Sequence, residues 1–250
     1  MTELVIVTDD GPVRIVRMNR PDKKNALTMA MYDAMAEAIE SAGKTPDLRC
    51  LLIAGAPTVF CAGNDIGDFL KAAGEGGALG EPILRFLYAL ARNETPMVAA
   101  VQGNAIGIGT TMLMHCDHVI ASSEARFSTP FVGLGLVPEA ASSLIAPRLM
   151  GQARAFSLLV MGRSLSADDA KAAGLVNTVV APDKVEAEAM KAAREIAALP
   201  PQAVLASRRL MRGSPDEIVA RIDAEAELFK TRLQSAEAQA AFTAFMTRKR

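Results

Sequence analysis

The chain comprises 250 residues, of which 50% are hydrophobic and 22% charged, and its formal net charge is -1. This size and composition allow a large hydrophobic core in one domain, or in one domain with an appendage. The near-neutral charge and the scarcity of aromatic residues, with no Trp and two Tyr, argue against a nucleic-acid-binding surface.

Cysteine and histidine positions exclude several further classes of site. Cys50, Cys61 and Cys116 form an odd set without CxxC spacing, which predicts neither a disulfide framework nor a zinc site. His115 and His118 do not share one face of a helix or a strand, so we expect no metal site there. The N-terminus lacks the basic start of a signal peptide, and no apolar run reaches membrane-spanning length. We therefore expect a cytoplasmic protein with no membrane partner.

The N-terminal part of the chain predicts a β-hairpin followed by an amphipathic helix. Strand-like runs at 4–7 and 13–18 flank Asp10-Gly11, a dipeptide suited to a tight turn. A polar loop then leads to Thr28, which predicts a helix N-cap. The helix after it would bury one apolar stripe, which comprises Leu27, Met31, Met35, Ala38 and Ile39.

Two patterns typical of buried strands run directly into glycines. One, at 51–54, precedes Phe60-Cys-Ala-Gly-Asn-Asp-Ile66, and the other, at 97–101, precedes Gly103-Asn-Ala-Ile-Gly-Ile-Gly109. A helix beginning near Gly109 or Thr110 would direct free N–H groups and a partial positive charge at a ligand in front of it. An oxyanion or a phosphate would suit that place, although the glycines could also serve only close packing of helix on strand.

Three familiar glycine motifs do not match these stretches. A Walker loop needs a lysine, and none occurs between Gly103 and Asp117. A dinucleotide fingerprint needs a third glycine after Gly107-Ile-Gly109, and the nucleophile elbow Gly-x-Ser-x-Gly occurs nowhere. Nucleotide binding and serine hydrolysis are therefore not indicated.

The middle of the chain combines a small-residue segment with a helix. Residues 67–80 are rich in Gly and Ala, which favours a mobile helix-loop that could cover a site. Residues 81–93 predict a helix. Its buried stripe would comprise Ile83, Phe86, Leu87 and Leu90.

Glu139 is the carboxylate that we single out. Pro138 predicts a turn at a helix start, which would put Glu139 in the first turn of a helix that buries Leu144 and Ile145. An acid there can simply complement the helix dipole. The competing interpretation is that apolar neighbours desolvate this carboxylate and raise its pKa toward that of a useful base. Those neighbours are Phe131, Val132, Leu134, Leu136 and Val137.

The C-terminal part is alanine-rich and helical. After a short strand within 174–180, residues 183–198 predict one helix, Pro200-Pro201 ends it, and Gly213-Ser-Pro215 separates further helices. These helices could contact other subunits or cap the core of their own chain, and the sequence allows both.

Four stretches, in order, resemble the signatures of the enoyl-CoA hydratase/isomerase (crotonase) family. They are Phe60 to Ile66, Gly103 to Gly109, Phe127 to Ser143 and Ser166 to Val176. The resemblance covers the chain to about residue 190 and implies an α/β fold, a spiral of ββα repeats, over 1–190. It implies a C-terminal helical region at 191–250 that forms trimers or pairs of trimers. The implied substrate is an acyl-CoA thioester, so that coenzyme A belongs to the substrate and no separate cofactor is expected.

The resemblance also implies residues that bind the substrate. Carried over by position, the backbone N–H groups of Asn64 and Ile108 form an oxyanion hole for the thioester carbonyl, and the loop at 19–27 lies near the adenine of coenzyme A. Lys23 and Lys24 in that loop read by themselves as solvated charges, although a phosphate-bearing ligand could use them. The other implied binding positions are Lys24, Ala26, Ala62, Gly63, Asp65 and Ile66.

Departures from the hydratase pattern indicate which reaction to expect. Hydratases of the family use two glutamates, and this chain has Thr111 and Phe131 at those positions. The stretch around Glu139 and the pair Asn64-Asp65 instead resemble the peroxisomal-type Δ3,Δ2-enoyl-CoA isomerases, in which this glutamate is the sole base. The resemblance thus implies that Glu139 moves a proton from C2 to C4 of a 3-enoyl-CoA in fatty acid β-oxidation. The C-terminus is not the peroxisomal Ser-Lys-Leu signal.

Three alternatives stay open. An enoyl-CoA hydratase is one, with Asp68 or Glu75 as a further carboxylate. A second is another CoA-thioester enolate isomerase, such as one acting in aromatic degradation, because one base and an oxyanion hole serve many enolate reactions. The third is a non-catalytic acyl-CoA-binding protein that kept the fold and lost the chemistry.

Overall fold

The computed structural model of the chain describes residues 3–67 and 79–248. Most of the segment that we expected to form a mobile helix-loop, including Asp68 and Glu75, lies outside these residues. Among the described residues, the model contains no helix both long and apolar enough to cross a lipid bilayer.

A six-stranded sheet forms the centre of the molecule. Its first two strands are the predicted antiparallel hairpin, and the other neighbouring strands pair in parallel. In spatial order the strands are β1 (Val5–Asp10), β2 (Val13–Met18), β3 (Cys50–Gly55), β4 (Met97–Val101), β6 (His118–Ser122) and β9 (Thr178–Val180). A smaller sheet contains β5 (Asn104–Ile106), β7 (Arg126–Ser128) and β8 (Leu165–Ser166).

The helices lie around these sheets. Their bounds, in chain order, are α1 (Met29–Ala42), α2 (Glu81–Arg92), α3 (Ile108–Thr111), α4 (Ser142–Met150), α5 (Gln152–Leu159), α6 (Ala167–Ala172), α7 (Val185–Ala197), α8 (Pro201–Arg212), α9 (Pro215–Leu233) and α10 (Ala236–Arg248).

Burial on both faces explains why β3 and β4 are apolar throughout, since every residue of both strands is buried. Side chains alternate along them: Leu52 and Val98 join a cluster under α7, whereas Leu51 and Ala99 point into the larger core. Helices α1 and α2 pack against each other. The sheet is therefore a rigid layer between helices, and its strand ends present the loops of the candidate site.

Several local predictions are confirmed. The Thr28 hydroxyl accepts the Met31 N–H at 3.3 Å and so caps α1. The apolar stripe of α1 is fully buried, as is that of α2. Strand β4 occupies a central place in the sheet, as its uniformly apolar sequence indicated.

The predicted helix start at Pro138 is wrong. Helix α4 begins at Ser142, three residues after Glu139, because Ala140 and Ala141 adopt left-handed backbone conformations with φ of 60° and 54°. Glu139 therefore lies in the turn before the helix, and Leu144 and Ile145 are only half-buried. The C-terminal helix predicted from 183 begins at Val185, after a short 3₁₀ turn.

The C-terminal helices α9 and α10 cap the core of their own chain. Ile222 and Phe229 of α9 and Ala238 of α10 belong to the larger core. At Gly135 a Cβ atom would come within 2.7 Å of the Ala238 backbone nitrogen, so α10 lies directly on the loop before Glu139. These helices thus form one wall of the region that contains the candidate site.

Candidate active site

The first glycine-rich segment pairs with Leu27 in a way that turns Asn64 outward. The Leu27 N–H donates to the Gly63 carbonyl at 2.8 Å, and the Asp65 N–H donates to the Leu27 carbonyl at 2.9 Å. Successive peptide groups of an extended segment point to opposite sides. The Asn64 N–H therefore points away from Leu27 and takes no part in that ladder.

The second glycine-rich segment starts a short helix. Gly107 has φ of 57° and precedes Ile108, the first residue of α3. The helix thus begins one residue before the predicted start near Gly109 or Thr110. Because N–H groups in a first helical turn have no acceptor within the helix, the Ile108 N–H is directed forward from α3. Both predicted oxyanion donors are therefore backbone groups at the ends of ordered elements.

Glycine allows these two segments to touch. A Cβ atom on Gly109 would lie 2.8 Å from the Cys61 carbonyl oxygen, and one on Gly63 would lie 3.1 Å from the Ile106 carbonyl oxygen. The lack of a side chain at both glycines thus allows the close packing that the sequence offered as one interpretation. The same contacts bring the segments that carry Asn64 and Ile108 side by side, so close packing and ligand binding are compatible.

Glu139 is a buried carboxylate beside α3. Its side chain is 5% exposed, and the Thr111 hydroxyl at the end of α3 donates to its Oε1 at 2.5 Å. Burial raises the pKa of Glu139 to about 8, with a smaller contribution from the charge of Glu225, while the Thr111 hydrogen bond opposes the rise. The desolvation that the sequence offered as one interpretation is present, although of the apolar neighbours only Phe131 and Leu136 are buried and Val132 is exposed.

Electrostatics connect Glu139 to the oxyanion segments. Its negative charge contributes to the raised pKa values of the Tyr32 hydroxyl and the Cys61 thiol, both of which are raised mainly by burial. The Tyr32 hydroxyl in turn donates to the Asn64 side-chain oxygen. Glu139, Asn64 and the Cys61 loop therefore belong to one neighbourhood.

The two positions that carry glutamates in hydratases border the same neighbourhood. Thr111 is buried and bonds to Glu139, and Phe131 is buried with its ring 3.9 Å from where a Gly107 Cβ would lie. A hydroxyl and an aromatic ring thus stand where two carboxylates would be needed to activate and deliver water.

The remaining predicted binding positions belong to the first segment or to the loop that pairs with it. Lys24 is exposed, and its carbonyl accepts the Ala62 N–H at 3.0 Å. Arg20 links the two parts, since its guanidinium donates to the Ala26 carbonyl at 3.0 Å and to Asp65 at 2.8 Å. Asp65 is thus engaged in an ion pair, and Ile66 next to it is half-buried.

Sequence reasoning missed residues that support the site from a distance. Asn25 donates to the carbonyls of Ala56 and Val59 at 3.0 and 2.6 Å, which holds the start of the first segment. Glu225 and His115 contact the turn after Glu139. The buried His115 is hydrogen-bonded to that turn. In the part of the chain that the structure describes, no three potential ligand side chains converge on a metal position.

Comparison with known proteins agrees with this geometry. A family model described as enoyl-CoA hydratase/isomerase matches residues 9–250. Enoyl-CoA delta isomerase 2 of Rattus norvegicus is 36% identical over 98% of this chain, which spans 64% of the rat protein's length. A probable enoyl-CoA hydratase of Rhizobium meliloti is 30% identical, over 99% of this chain and 96% of that protein.

The fold has close counterparts among solved structures. The crystal structure of an enoyl-CoA hydratase/isomerase from Pseudoalteromonas atlantica superposes with a TM-score of 0.93 and 41% identity, covering 98% of each chain. The α/β crotonase fold implied by the resemblance is confirmed by this likeness. The chain belongs to the enoyl-CoA hydratase/isomerase family.

Proposed function

We propose that the protein is a Δ3,Δ2-enoyl-CoA isomerase of fatty acid β-oxidation in which Glu139 is the only proton carrier. The observation that carries this proposal is a buried carboxylate whose pKa is raised to about 8 and which is bonded to Thr111, the last residue of the short helix α3. The substrate is an acyl-CoA thioester, and coenzyme A is part of it rather than a separate cofactor.

The proposed reaction uses the carboxylate and the two N–H groups in turn. The Glu139 carboxylate takes a proton from C2 of the 3-enoyl thioester, the C–H electron pair forms a double bond between C1 and C2, and the carbonyl electron pair moves onto the thioester oxygen, which gives a dienolate conjugated with the C3–C4 double bond. The Asn64 and Ile108 N–H groups stabilise the resulting dienolate. Protonated Glu139 then returns the proton to C4, and the double bond ends between C2 and C3, conjugated with the thioester. Losing one such backbone donor typically costs about 2.7–4 kcal/mol of barrier.

The raised pKa suits a base that must also act as an acid. A carboxylate of ordinary pKa would be a weak base toward the C2 proton, and the raised pKa makes Glu139 a stronger one. With a pKa of about 8, Glu139 keeps the proton between the two steps and still ionises near physiological pH. One group can therefore serve both transfers.

Thr111 and Phe131 favour isomerisation over water addition. Hydration needs a group to activate water and another to protonate the α-carbon, and neither a threonine hydroxyl nor a phenylalanine ring supplies a carboxylate. The buried Phe131 ring beside Gly107 also makes this wall apolar. Hydratase activity is the second candidate, because the Rhizobium meliloti relative is named a probable hydratase.

The proposal also covers the substrate-binding residues, the oligomeric state and the cellular compartment. The loop with Lys24 and Ala26 lies near the adenine of coenzyme A, and Ala62, Gly63, Asp65 and Ile66 border the acyl-CoA. Residues 191–250 support a homotrimer or a pair of trimers, for which the exposed Leu210 and Met211 of α8 offer apolar surface. The described cysteines are free thiols, which suits a reducing cytoplasm.

A paired assay tests the function. Purified protein receives 3-hexenoyl-CoA in one cuvette, and formation of the conjugated enoyl thioester is followed by absorbance. In a second cuvette, 2-hexenoyl-CoA is followed for loss of that absorbance through hydration. Conjugation without hydration is the expected result. Hydration alone would overturn the proposal in favour of a hydratase, and acyl-CoA binding without either reaction would favour a non-catalytic binding protein.

A further inference from the structure

The turn that carries Glu139 has an unusual backbone. Ala140 and Ala141 both adopt the left-handed region, with φ of 60° and 54°. Non-glycine residues rarely occupy this region and persist in it only when their surroundings hold them there. Two successive alanines in this conformation therefore require contacts from outside the turn.

Glu225 of α9 supplies contacts from the other end of the chain. Its Oε2 accepts the Ala141 N–H at 2.7 Å and its Oε1 accepts the Ser143 N–H at 2.9 Å. The N-cap residue of α4 is Ala141, which has no capping side chain, so the Glu225 carboxylate caps the helix instead. A negative charge there is favourable because it faces the positive end of the helix dipole. Glu225 is itself 5% exposed.

His115 holds the same turn from the opposite side. Its Nε2 lies 2.8 Å from the Ala140 carbonyl oxygen. Burial lowers the pKa of His115 to about 4, so the ring is neutral at physiological pH. Because a carbonyl can only accept, Nε2 carries the hydrogen and donates to it. The Ala140-Ala141 turn is thus clamped by an acceptor on one side and a donor on the other.

We infer that Glu225 is a positioning residue for the reaction, which aims Glu139 at the substrate by locking the Ala140-Ala141 turn. This inference rests on the proposed role of Glu139 as the base. Glu225 also acts through its charge, which contributes to the raised pKa of Glu139. Burial raises the pKa of Glu225, while hydrogen bonds from Ser143 and Ala141 and the charge of Arg221 oppose that rise. Among the described residues, further polar or titratable groups near the two carboxylates include Tyr32, Cys61, Thr111, His115, Ser142 and the Ser143 hydroxyl.

Two substitutions separate the effect of the length of the Glu225 side chain from the effect of its charge. Glu225→Gln keeps the size but removes the charge and turns an amide NH2 toward a backbone N–H. We expect kcat to fall roughly 10–100-fold from misplacement of the base, with KM within about twofold of wild type. The acidic limb of kcat/KM should move to lower pH, because removing a nearby negative charge lowers the pKa of Glu139. Glu225→Asp keeps the charge and shortens the reach, so kcat should fall while the limb stays in place.

Glu217→Gln is the matched control. Glu217 also lies on α9 and also joins it to α4, through Arg148 at 2.6 and 2.9 Å, but this pair is exposed and contacts the last turn of α4 rather than the turn at 139–143. Its loss should leave kcat and the pH profile unchanged. A residue with only a structural role would lower the melting temperature without moving the limb. Wild-type kcat and an unmoved limb in Glu225→Gln would overturn the inference.

A substrate-free titration separates this inference from the proposed function. With ¹³C-labelled glutamate, the Glu139 carboxyl resonance is the one that disappears in Glu139→Gln, and its pKa is read by NMR. We expect a lower pKa in Glu225→Gln than in wild type, and an unchanged pKa would contradict the inference. Absence of isomerase activity in the wild-type protein would instead overturn the proposed function. The titration would still show whether Glu225 changes the pKa of Glu139. If Glu225→Gln does not fold, Glu225→Asp is compared with wild type for kcat.

Discussion

The two halves of the candidate site depend on different groups: backbone N–H groups in one and side chains in the other. The predicted oxyanion segments at 61–65 and 107–111 would bind through backbone N–H groups, and Gly63 and Gly109 matter there because they lack a side chain. The base turn at 139–143 instead depends on side chains from distant parts of the chain, which include Thr111, His115 and Glu225. The first half therefore requires a close backbone fit, and the second requires hydrogen bonds across long sequence separations. Substitutions should damage the two halves by different routes.

The largest effect should come from removing the base itself. Glu139→Gln keeps the shape of the side chain but cannot accept the C2 proton, so we expect kcat to fall by about 10³-fold. Affinity for acyl-CoA, measured by calorimetry, should stay close to that of wild type, because the oxyanion donors are backbone groups. Unchanged turnover would remove Glu139 from the mechanism.

A smaller but still large loss of activity should follow from disrupting the close backbone contact between Gly109 and Cys61. A Cβ atom in Gly109→Ala would lie 2.8 Å from the Cys61 carbonyl oxygen, so α3 must shift and the Ile108 N–H with it. We expect a loss in kcat of about 10²-fold, in line with the cost of one oxyanion donor. Gly133→Ala is the control, because nothing lies within 4 Å of its added Cβ. Equal kcat in the two variants would show that the contact does not position Ile108.

Replacing Thr111 should change the pKa of Glu139 in the opposite direction from replacing Glu225. Its hydroxyl favours the charged form of Glu139, so Thr111→Val should raise the pKa of Glu139 further above about 8. The acidic limb of kcat/KM, which rises with pH as the base ionises, should then move to higher pH. At neutral pH we expect about tenfold lower activity from the shift together with the lost hydrogen bond. A limb that moves downward would contradict this reading of the contact.

The smallest effect concerns stability as a function of pH. The unfolded chain ionises Glu139 near its ordinary pKa of 4.5, whereas the folded protein keeps the proton up to about 8. The folded state thus binds more protons in this window, so this contribution to stability is lost as the pH rises through it. Glu139→Gln lacks this pH-dependent contribution. Its melting temperature relative to that of wild type should therefore rise by several degrees as the pH increases from 5 to 9. Parallel melting curves would contradict the raised pKa.

Local patterns made much of the fold predictable. The Asp10-Gly11 hairpin, the Thr28 cap and the buried stripe of α2 each depend on residues close together in sequence. The same holds for Glu139, whose apolar neighbours in the chain signalled a desolvated carboxylate before any contact was known. The family resemblance directed attention to Asn64 and Ile108, and their roles as oxyanion donors stay predictions.

Other features had no usable signal in the sequence. Alanine is a good helix former, so Ala140 and Ala141 favoured a helix that starts too early. Glu225 lies 84 residues from Ala141, in a helix whose many charged residues normally face water. An acid in such a pattern reads as a solvated side chain, and only its burial against the base turn distinguishes it.

The sequence by itself determined the order of the elements, the apolar strands of the sheet and the glycines at the strand ends, because these depend on local propensity and spacing. Only the tertiary structure decided that Gly109 lies against Cys61, that Thr111 bonds to Glu139 and that Glu225 caps α4. Those contacts join residues far apart in the chain. Their geometry depends on how the whole core packs, which no local pattern encodes.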